Sequence, residues 1–338
     1  MSILVTGGAG YIGSHVCIEL LNAGYEVVVV DNLCNSSRES IKRVEKITGK
    51  NIIFYKSNIM DQTVMDLIFT AEKIEAVIHL AGLKEVFESV QHPCDYYNNN
   101  VVATLNLCEV MRSHNVKQLI YSSSAAVYGR PTSVPVTEDF PVSASKPYER
   151  TKLIVEEMLR DFSVADGKWS IIILRYFNSL GAHDSGLIGE DLKGKSYSLV
   201  TSISQVATGR LDFVGVFGDD YETCDGTGIR DYIHVVDVAK GHVSALAKLN
   251  RTKGVQTYNL GTGIGYSVLE VVDAYEKACG KKIPYKILAK RPDDLVACYA
   301  DASLARQELG WQANKNLEEM CQDTWKWQVN NPNGYARK

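Results

Sequence analysis

A glycine-rich turn, Thr6-Gly7-Gly8-Ala9-Gly10-Tyr11-Ile12-Gly13, sits between an apolar strand, Ile3-Leu4-Val5, and an amphipathic helix running from Ser14 to Asn22 and stopping at Gly24. Gly8, Gly10 and Gly13 fit the spacing G-x-G-x-x-G, and Gly7, Gly10 and Gly13 fit G-x-x-G-x-x-G. Glycine permits a tight turn, lets the backbone approach a pyrophosphate and lets a helix lie close to a sheet, while the helix N-terminus offers free N–H groups to the anion. Asp31 closes the next strand, Val27 to Val30, where a carboxylate accepts the hydroxyls of an adenosine ribose. An acid at that point repels a 2′-phosphate, so the pattern predicts NAD rather than NADP.

Short β-branched runs recur after the turn: Ile52 to Tyr55, Ala76 to Ile78, Gln118 to Tyr121 and Ile171 to Leu174, with helical patterns such as Val101 to Val110 between them. Continuous apolar strands alternating with amphipathic helices predict βαβ units and a parallel sheet covered on both faces. The expected fold is α/β, a Rossmann-type doubly wound parallel sheet over residues 1–178. A smaller C-terminal substrate-binding α/β region over 179–338 follows, with glycine-punctuated loops, a helical stretch from Leu199 to Thr208 and no Pro/Ser linker to hold it away.

Composition excludes several classes. A net charge of −4 supplies no field for a phosphate backbone, so no nucleic-acid partner is expected. The eight cysteines are scattered singly without C-x-x-C spacing, which argues against zinc or a redox pair, predicts no metal, and suits reduced thiols in a cytoplasmic protein. The chain begins on a strand, without the pattern of a signal peptide, and no run approaches the roughly 20 apolar residues of a membrane span.

Past the fifth strand come Ser122-Ser123-Ser124 and then Pro147-Tyr148-Glu149-Arg150-Thr151-Lys152. Proline suits the first turn of a helix, and Leu153, Val155, Met158 and Leu159 continue its apolar face. Tyr148 and Lys152 then share one face. An ammonium beside a phenol favours phenolate, which can act as a general base, and a serine at the end of the adjacent strand can bond the same substrate oxygen.

These residues are similar to those of the extended short-chain dehydrogenase/reductase superfamily. Asp31 to Ser36, His79 to Lys84, Tyr96 to Asn100, Leu174 to Asn178, Asp225 to Val235 and Tyr258 to Gly263 resemble, more narrowly, the UDP-glucose (UDP-galactose) 4-epimerase family over nearly the whole chain. The resemblance implies a UDP-hexose 4-epimerase with Ser124, Tyr148 and Lys152 as catalytic residues. Tyr148 would take the proton of the sugar 4-hydroxyl as hydride leaves C4 for tightly held NAD, and the 4-keto sugar would turn over and be reduced on its other face. Ser124 would share the hydrogen bond, and Lys152 would tune Tyr148 and orient the cofactor ribose.

The implied NAD set is Gly7, Gly10, Tyr11, Ile12, Gly13, Asp31, Asn32, Asn35, Ser36, Asn58, Ile59, Lys84, Asn99, Tyr148, Lys152 and Phe177. The UDP-sugar would meet Ser124, Tyr148, Asn178, Ser198, Leu199, Phe217, Arg230, Arg291, Asp294 and Cys298, with guanidinium forks suited to a diphosphate. A homodimer would join through Val101 to Arg112 and Thr151 to Phe162.

Four positions depart from the family pattern: Ser179 in place of Pro, Glu149 in place of Gly, Asn58 in place of Asp, and Tyr197-Ser198 in place of Asn-Asn. Cys298 falls where the family places a gate beside the sugar's C2 substituent, and a small residue there implies room for an N-acetyl group. Two alternatives stand beside this reading. One is another NAD-dependent nucleotide-sugar enzyme, either a 4-epimerase of a uronic acid or pentose or a dehydratase, and the absence of an acid pair at Ala125-Ala126 disfavours dehydration; the other is a non-catalytic NAD-sensing module, which the intact Ser124, Tyr148 and Lys152 disfavour. His15, His79 and His234 are expected in the core, and Trp311, Trp325 and Trp327 against a terminal helix.

Overall fold

The computed structural model describes residues 1–191, 198–291 and 294–336. In chain order it begins with β1 (Ser2–Thr6), α1 (Tyr11–Asn22), β2 (Glu26–Asp31), α2 (Arg38–Thr48), β3 (Ile53–Lys56), α3 (Gln62–Glu72) and β4 (Ala76–His79). Two short helices, α4 (Val86–Gln91) and α5 (Pro93–Tyr96), lead through a π-helical turn at Tyr97–Val102 into α6 (Ala103–Ser113). Next are β5 (Gln118–Ser124), α7 (Pro147–Ala165) and β6 (Ser170–Tyr176). The second half carries β7 (Asn178–Leu180), α8 (Leu199–Ala207), β8 (Val214–Phe217), β9 (Ile229–His234), α9 (Val235–Leu249) and β10 (Gly254–Leu260). It ends with β11 (Gly265–Ser267), α10 (Val268–Cys279), β12 (Tyr285–Leu288), β13 (Ala297–Cys298), α11 (Ser303–Leu309) and α12 (Leu317–Asn330).

The main sheet has seven strands in the order β10-β6-β5-β4-β1-β2-β3. All its pairings are parallel. Every residue of β1 and β4 is buried, as continuous apolar runs require when helices cover both faces. One face packs α1, α2 and α9 residues such as Val16, Ile41 and Val238; the other packs α3, α6 and α7 residues such as Met65, Leu107 and Val155. Each such fully buried Val, Leu or Met contributes about 1.5–3 kcal/mol relative to exposure.

Two sequence expectations need correction. The division at residue 178 separates stretches of chain, not sheets, because β10 returns to pair with β6 in register Tyr258↔Leu174 and α9 packs beside α1. Helix α1 starts at Tyr11, before the expected Ser14, because extended Gly10 is its N-cap and contributes no side-chain cap. The smaller region surrounds β9, which pairs with β7, β11 and β13, while β8 and β12 form a separate two-stranded ribbon. Its core gathers Leu180, Ile203, Tyr232, Tyr275 and Met320.

His15, His79 and His234 are buried, and Trp325 and Trp327 lie on α12. His79 bridges Thr6 Oγ1 at 2.7 Å and Thr104 Oγ1 at 2.8 Å; His242 meets the Val238 carbonyl at 2.9 Å and the Tyr176 hydroxyl. Burial holds His15 and His79 down to about 3 and His242 down to about 4. All eight thiols are free, and no metal-holding cluster of His, Cys, Asp or Glu and no helix long and apolar enough to cross a membrane occurs among the described residues.

These histidines make acid stability testable. Below the ordinary histidine value near 6.5 the unfolded chain binds protons that the folded one refuses, so stability falls as pH drops towards 3 to 4, by up to about 1.4 kcal/mol per pH unit for each such group. Denaturant unfolding from pH 7 to 4 checks this, and His79→Asn should show a shallower slope than wild type over that range.

Candidate active site

The glycine turn leaves β1 and reverses into α1 at the centre of the sheet, where strand order changes direction between β4 and β2. That is the crevice in which open α/β sheets bind ligands. Gly7 has φ +71°, and a Cβ there would lie 2.8 Å from Ala81 backbone atoms. A Cβ on Gly13 would come within 2.2 Å of the Gly7 carbonyl oxygen. The turn is therefore a cradle of backbone alone, with the first-turn N–H groups of α1 directed at whatever occupies it. Asp31, at the end of β2, accepts from Ala9 N–H at 3.0 Å, Leu33 N–H at 2.9 Å and Ser36 Oγ at 2.7 Å, which fixes its carboxylate at the cradle's edge. Bare turn, helix N-terminus and oriented acid fit a dinucleotide.

All the expected cofactor and substrate residues, from Gly7 to Cys298, line one cleft of about 1750 Å³ running from this turn across to the smaller region. At its middle, Ser124 ends β5 and its hydroxyl accepts from Ala126 N–H at 3.2 Å. Tyr148 and Lys152 stand one turn apart near the start of α7, both buried. The Lys152 ammonium donates to the Ser122 carbonyl at 2.7 Å and lies 5.1 Å from the centre of the Tyr121 ring. Burial draws Lys152 down to about 8, while the charge of Glu156 opposes that shift. The Tyr148 phenol is raised by burial, and the Ser124 side chain and the Lys84 charge pull it back. The Lys84 charge thus contributes to the cation effect expected on Tyr148, while the Lys152 ammonium is anchored on a backbone carbonyl.

Lys84 in turn pairs with Glu190, a residue the sequence reading missed because nothing in its local pattern sets it apart. Asn100 was missed as well. Its amide accepts from Leu83 N–H at 2.8 Å and donates to the Leu83 carbonyl and to Thr151 Oγ1, both at 3.0 Å, tying the loop that carries Lys84 to α7. Asn99 and Asn100 lie in the π-helical turn, a distortion that often marks functional sites.

The opposite wall comes from the smaller region. Arg291 lies with its guanidinium 3.8 Å from the centre of the Phe217 ring. Arg230, on β9, is not free: it pairs with Asp294 and donates to the Ile229 and Leu295 carbonyls at 2.8 Å. Cys298, on β13 opposite Arg230, packs with Tyr128, Val136, Phe177 and Ala300. Asn178 opens β7, and Leu199 opens α8.

Two of the departures have structural roles. Glu149 accepts from Ser145 N–H at 2.9 Å and Lys146 N–H at 3.0 Å and so closes the start of α7. Ser198 caps α8 by accepting from Thr201 N–H at 3.2 Å, a place that Ser and Asn fill equally well. Asn58 is exposed and turns its oxygen to Met60 N–H at 3.0 Å, and Ser179 sits in β7 opposite Ile233. Tyr197 lies outside the described residues.

Fold and cleft define a protein of the dinucleotide-binding Rossmann class, and comparison with known proteins agrees. Residues 3–261 match the NAD dependent epimerase/dehydratase family. The chain is 56% identical over 335 residues to UDP-glucose 4-epimerase of Bacillus subtilis, with 99% of each covered. It superposes with a TM-score of 0.95 on the Bifidobacterium longum UDP-glucose 4-epimerase in complex with NAD+ and UDP, at 53% identity, covering 99% of this chain and 100% of that one. The Stenotrophomonas maltophila UDP-glucose 4-epimerase with bound NAD and formylated UDP-arabinopyranose gives 0.96 at 47% identity, covering 98% and 99%. The chain belongs to the NAD-dependent epimerase/dehydratase family, in its UDP-glucose 4-epimerase branch.

Proposed function

We propose that the protein is a UDP-hexose 4-epimerase that interconverts UDP-glucose and UDP-galactose and also accepts the N-acetylated pair. The observation that carries the reading is the contact of the Ser124 side chain with the Tyr148 phenol in one cleft that the bare glycine cradle and the two arginines also line. When bound, NAD supplies a reversible two-electron oxidant for the sugar carbinol and a positive ring charge. Gly7, Gly10, Tyr11, Ile12, Gly13, Asp31 and Asn35 would hold its adenosine and pyrophosphate part, and Lys84, Asn99, Tyr148, Lys152 and Phe177 its other end.

This chain's part of the chemistry is proton transfer and positioning. Tyr148 takes the proton from the sugar 4-hydroxyl during oxidation and returns it during reduction. Ser124 bonds the same oxygen and, with Lys84, offsets the burial that disfavours phenolate. Lys152, anchored on the Ser122 carbonyl, orients the cofactor ribose. Arg291 and Arg230 hold the diphosphate, and the Asp294 pairing keeps Arg230 in place until the substrate arrives. Ala125 and Ala126 offer no acid beside Ser124 for dehydration. Dimerisation through α6 and α7 is part of the proposal, supported by exposed Leu105 on α6, exposed Ile154 on α7 and exposed Val102 at the end of the π-helical turn that leads into α6.

The wider sugar range rests on Cys298. Its small side chain borders the cleft beside Phe177, where a larger one would occupy space. Filling a pocket rejects the larger substrate while the smaller still fits.

Two variants test the reading. Tyr148→Phe keeps the helix and removes the acid–base group, so turnover of UDP-galactose should fall roughly 10²- to 10⁴-fold with dinucleotide content unchanged; wild-type turnover would assign the base elsewhere. Cys298→Tyr should abolish interconversion of UDP-N-acetylglucosamine and UDP-N-acetylgalactosamine while plain hexoses still react, and N-acetyl turnover that survives unchanged removes position 298 from the gate.

A further inference from the structure

Phe87 has no part in the chemistry described above, yet it lies at the cleft. It belongs to α4, on the lip contributed by the first half of the chain, and is 41% exposed. Its ring has the Arg291 guanidinium 5.0 Å from its centre and the Lys146 ammonium at 5.5 Å. The other side of the pairing is Phe217, at the end of β8 on the opposite lip, with Arg291 at 3.8 Å. Arg291 thus stands between two aromatic rings from the two sides of the cleft, and all three residues line it.

An arginine on an exposed wall samples many rotamers and loses that freedom when it grips a phosphate. A guanidinium held against ring faces keeps its edges, which carry the N–H donors, free for oxygen acceptors. Burial also lowers the Arg291 pKa, with Asp294 acting in the opposite direction and Arg230 in the same one, so part of its desolvation is complete before a ligand arrives.

We propose that Phe87 is a positioning residue that clamps Arg291 against Phe217 and so presets the diphosphate grip of the cleft. The inference rests on the UDP-sugar reading given above. Phe87 acts on binding and leaves the proton transfer at Tyr148 untouched. The occupant of the clamp is the guanidinium, and the ligand that benefits is the diphosphate of a nucleotide sugar, or free UDP.

The experiment is titration of the NAD-loaded protein with UDP by calorimetry, with KM and kcat for UDP-galactose measured in parallel. A cation–ring contact of this kind corresponds to about a two- to thirtyfold change in affinity. Phe87→Ala and Phe87→Leu should both weaken UDP binding and raise KM within that range at unchanged kcat, and Phe87→Tyr should restore both. In an Arg291→Met background, Phe87→Ala should add nothing. Wild-type affinity in Phe87→Ala, full affinity in Phe87→Leu, or an undiminished Phe87→Ala effect without Arg291 each overturns the clamp. Wild-type protein that fails to bind UDP overturns the UDP-sugar reading itself.

Discussion

The architecture depends on one close approach, that of α1 to the turn that precedes it. Gly13 sits where a Cβ would lie 2.2 Å from the Gly7 carbonyl oxygen and 2.7 Å from Gly8 Cα, both rigid backbone. Because no side chain intervenes, the helix begins directly over the ends of β1 and β2, and its N-terminal N–H groups open into the cleft. Helix α1 packs in turn against α9, so a helix from the second half completes the covering of the sheet. Fold and anion cradle are therefore a single packing solution.

Burial then decides the electrostatics around Tyr148. Tyr148, Lys152 and Glu156 occupy successive turns of α7 and all face inward. Glu156 is fully buried, paired with Arg175 at 2.6 Å and bonded by Ser123 Oγ at 2.6 Å. A buried pair of this kind adds little net stability, but losing one partner is costly, so it pins the helix to β5 and β6. The pin fixes where Lys152 and Tyr148 project. On the far side, buried Asp231 accepts from Thr262 N–H at 2.9 Å, Gly263 N–H at 3.0 Å and Ala300 N–H at 3.1 Å, binding the segment after β13 to the turn after β10. Those bonds locate Cys298 and the wall of the cleft that it belongs to.

Much of this was legible in the residues because the physics was local. Strands β1, β2, β4, β5 and β6 each contain a continuous apolar run, and Pro147 marked the start of α7. The glycine spacing with Asp31 announced the cradle. What could not be read was non-local. Strand β10, Gly-Val-Gln-Thr-Tyr-Asn-Leu, is an edge strand with polar residues, and only its pairing with β6 reveals that it belongs to the main sheet. The pairing of Arg230 with Asp294, of Lys84 with Glu190, and of Phe87 with Arg291 joins residues tens to hundreds of positions apart, with no periodicity to signal it. The Ser122 carbonyl that the Lys152 ammonium takes as acceptor was equally unreadable, because a buried cation must be satisfied by whatever the fold brings to it.

The central claim is that a cofactor held in the glycine cradle is regenerated within each cycle by chemistry at Ser124 and Tyr148. Incubation of the purified protein with UDP-glucose and no added dinucleotide, followed by proton NMR of the sugar, tests it directly. The account predicts that UDP-galactose accumulates to a constant ratio with no net change in dinucleotide absorbance at 340 nm, the general signature of reduced nicotinamide. Oxidised sugar forming in step with added NAD, or no change in the sugar with cofactor bound, would contradict it.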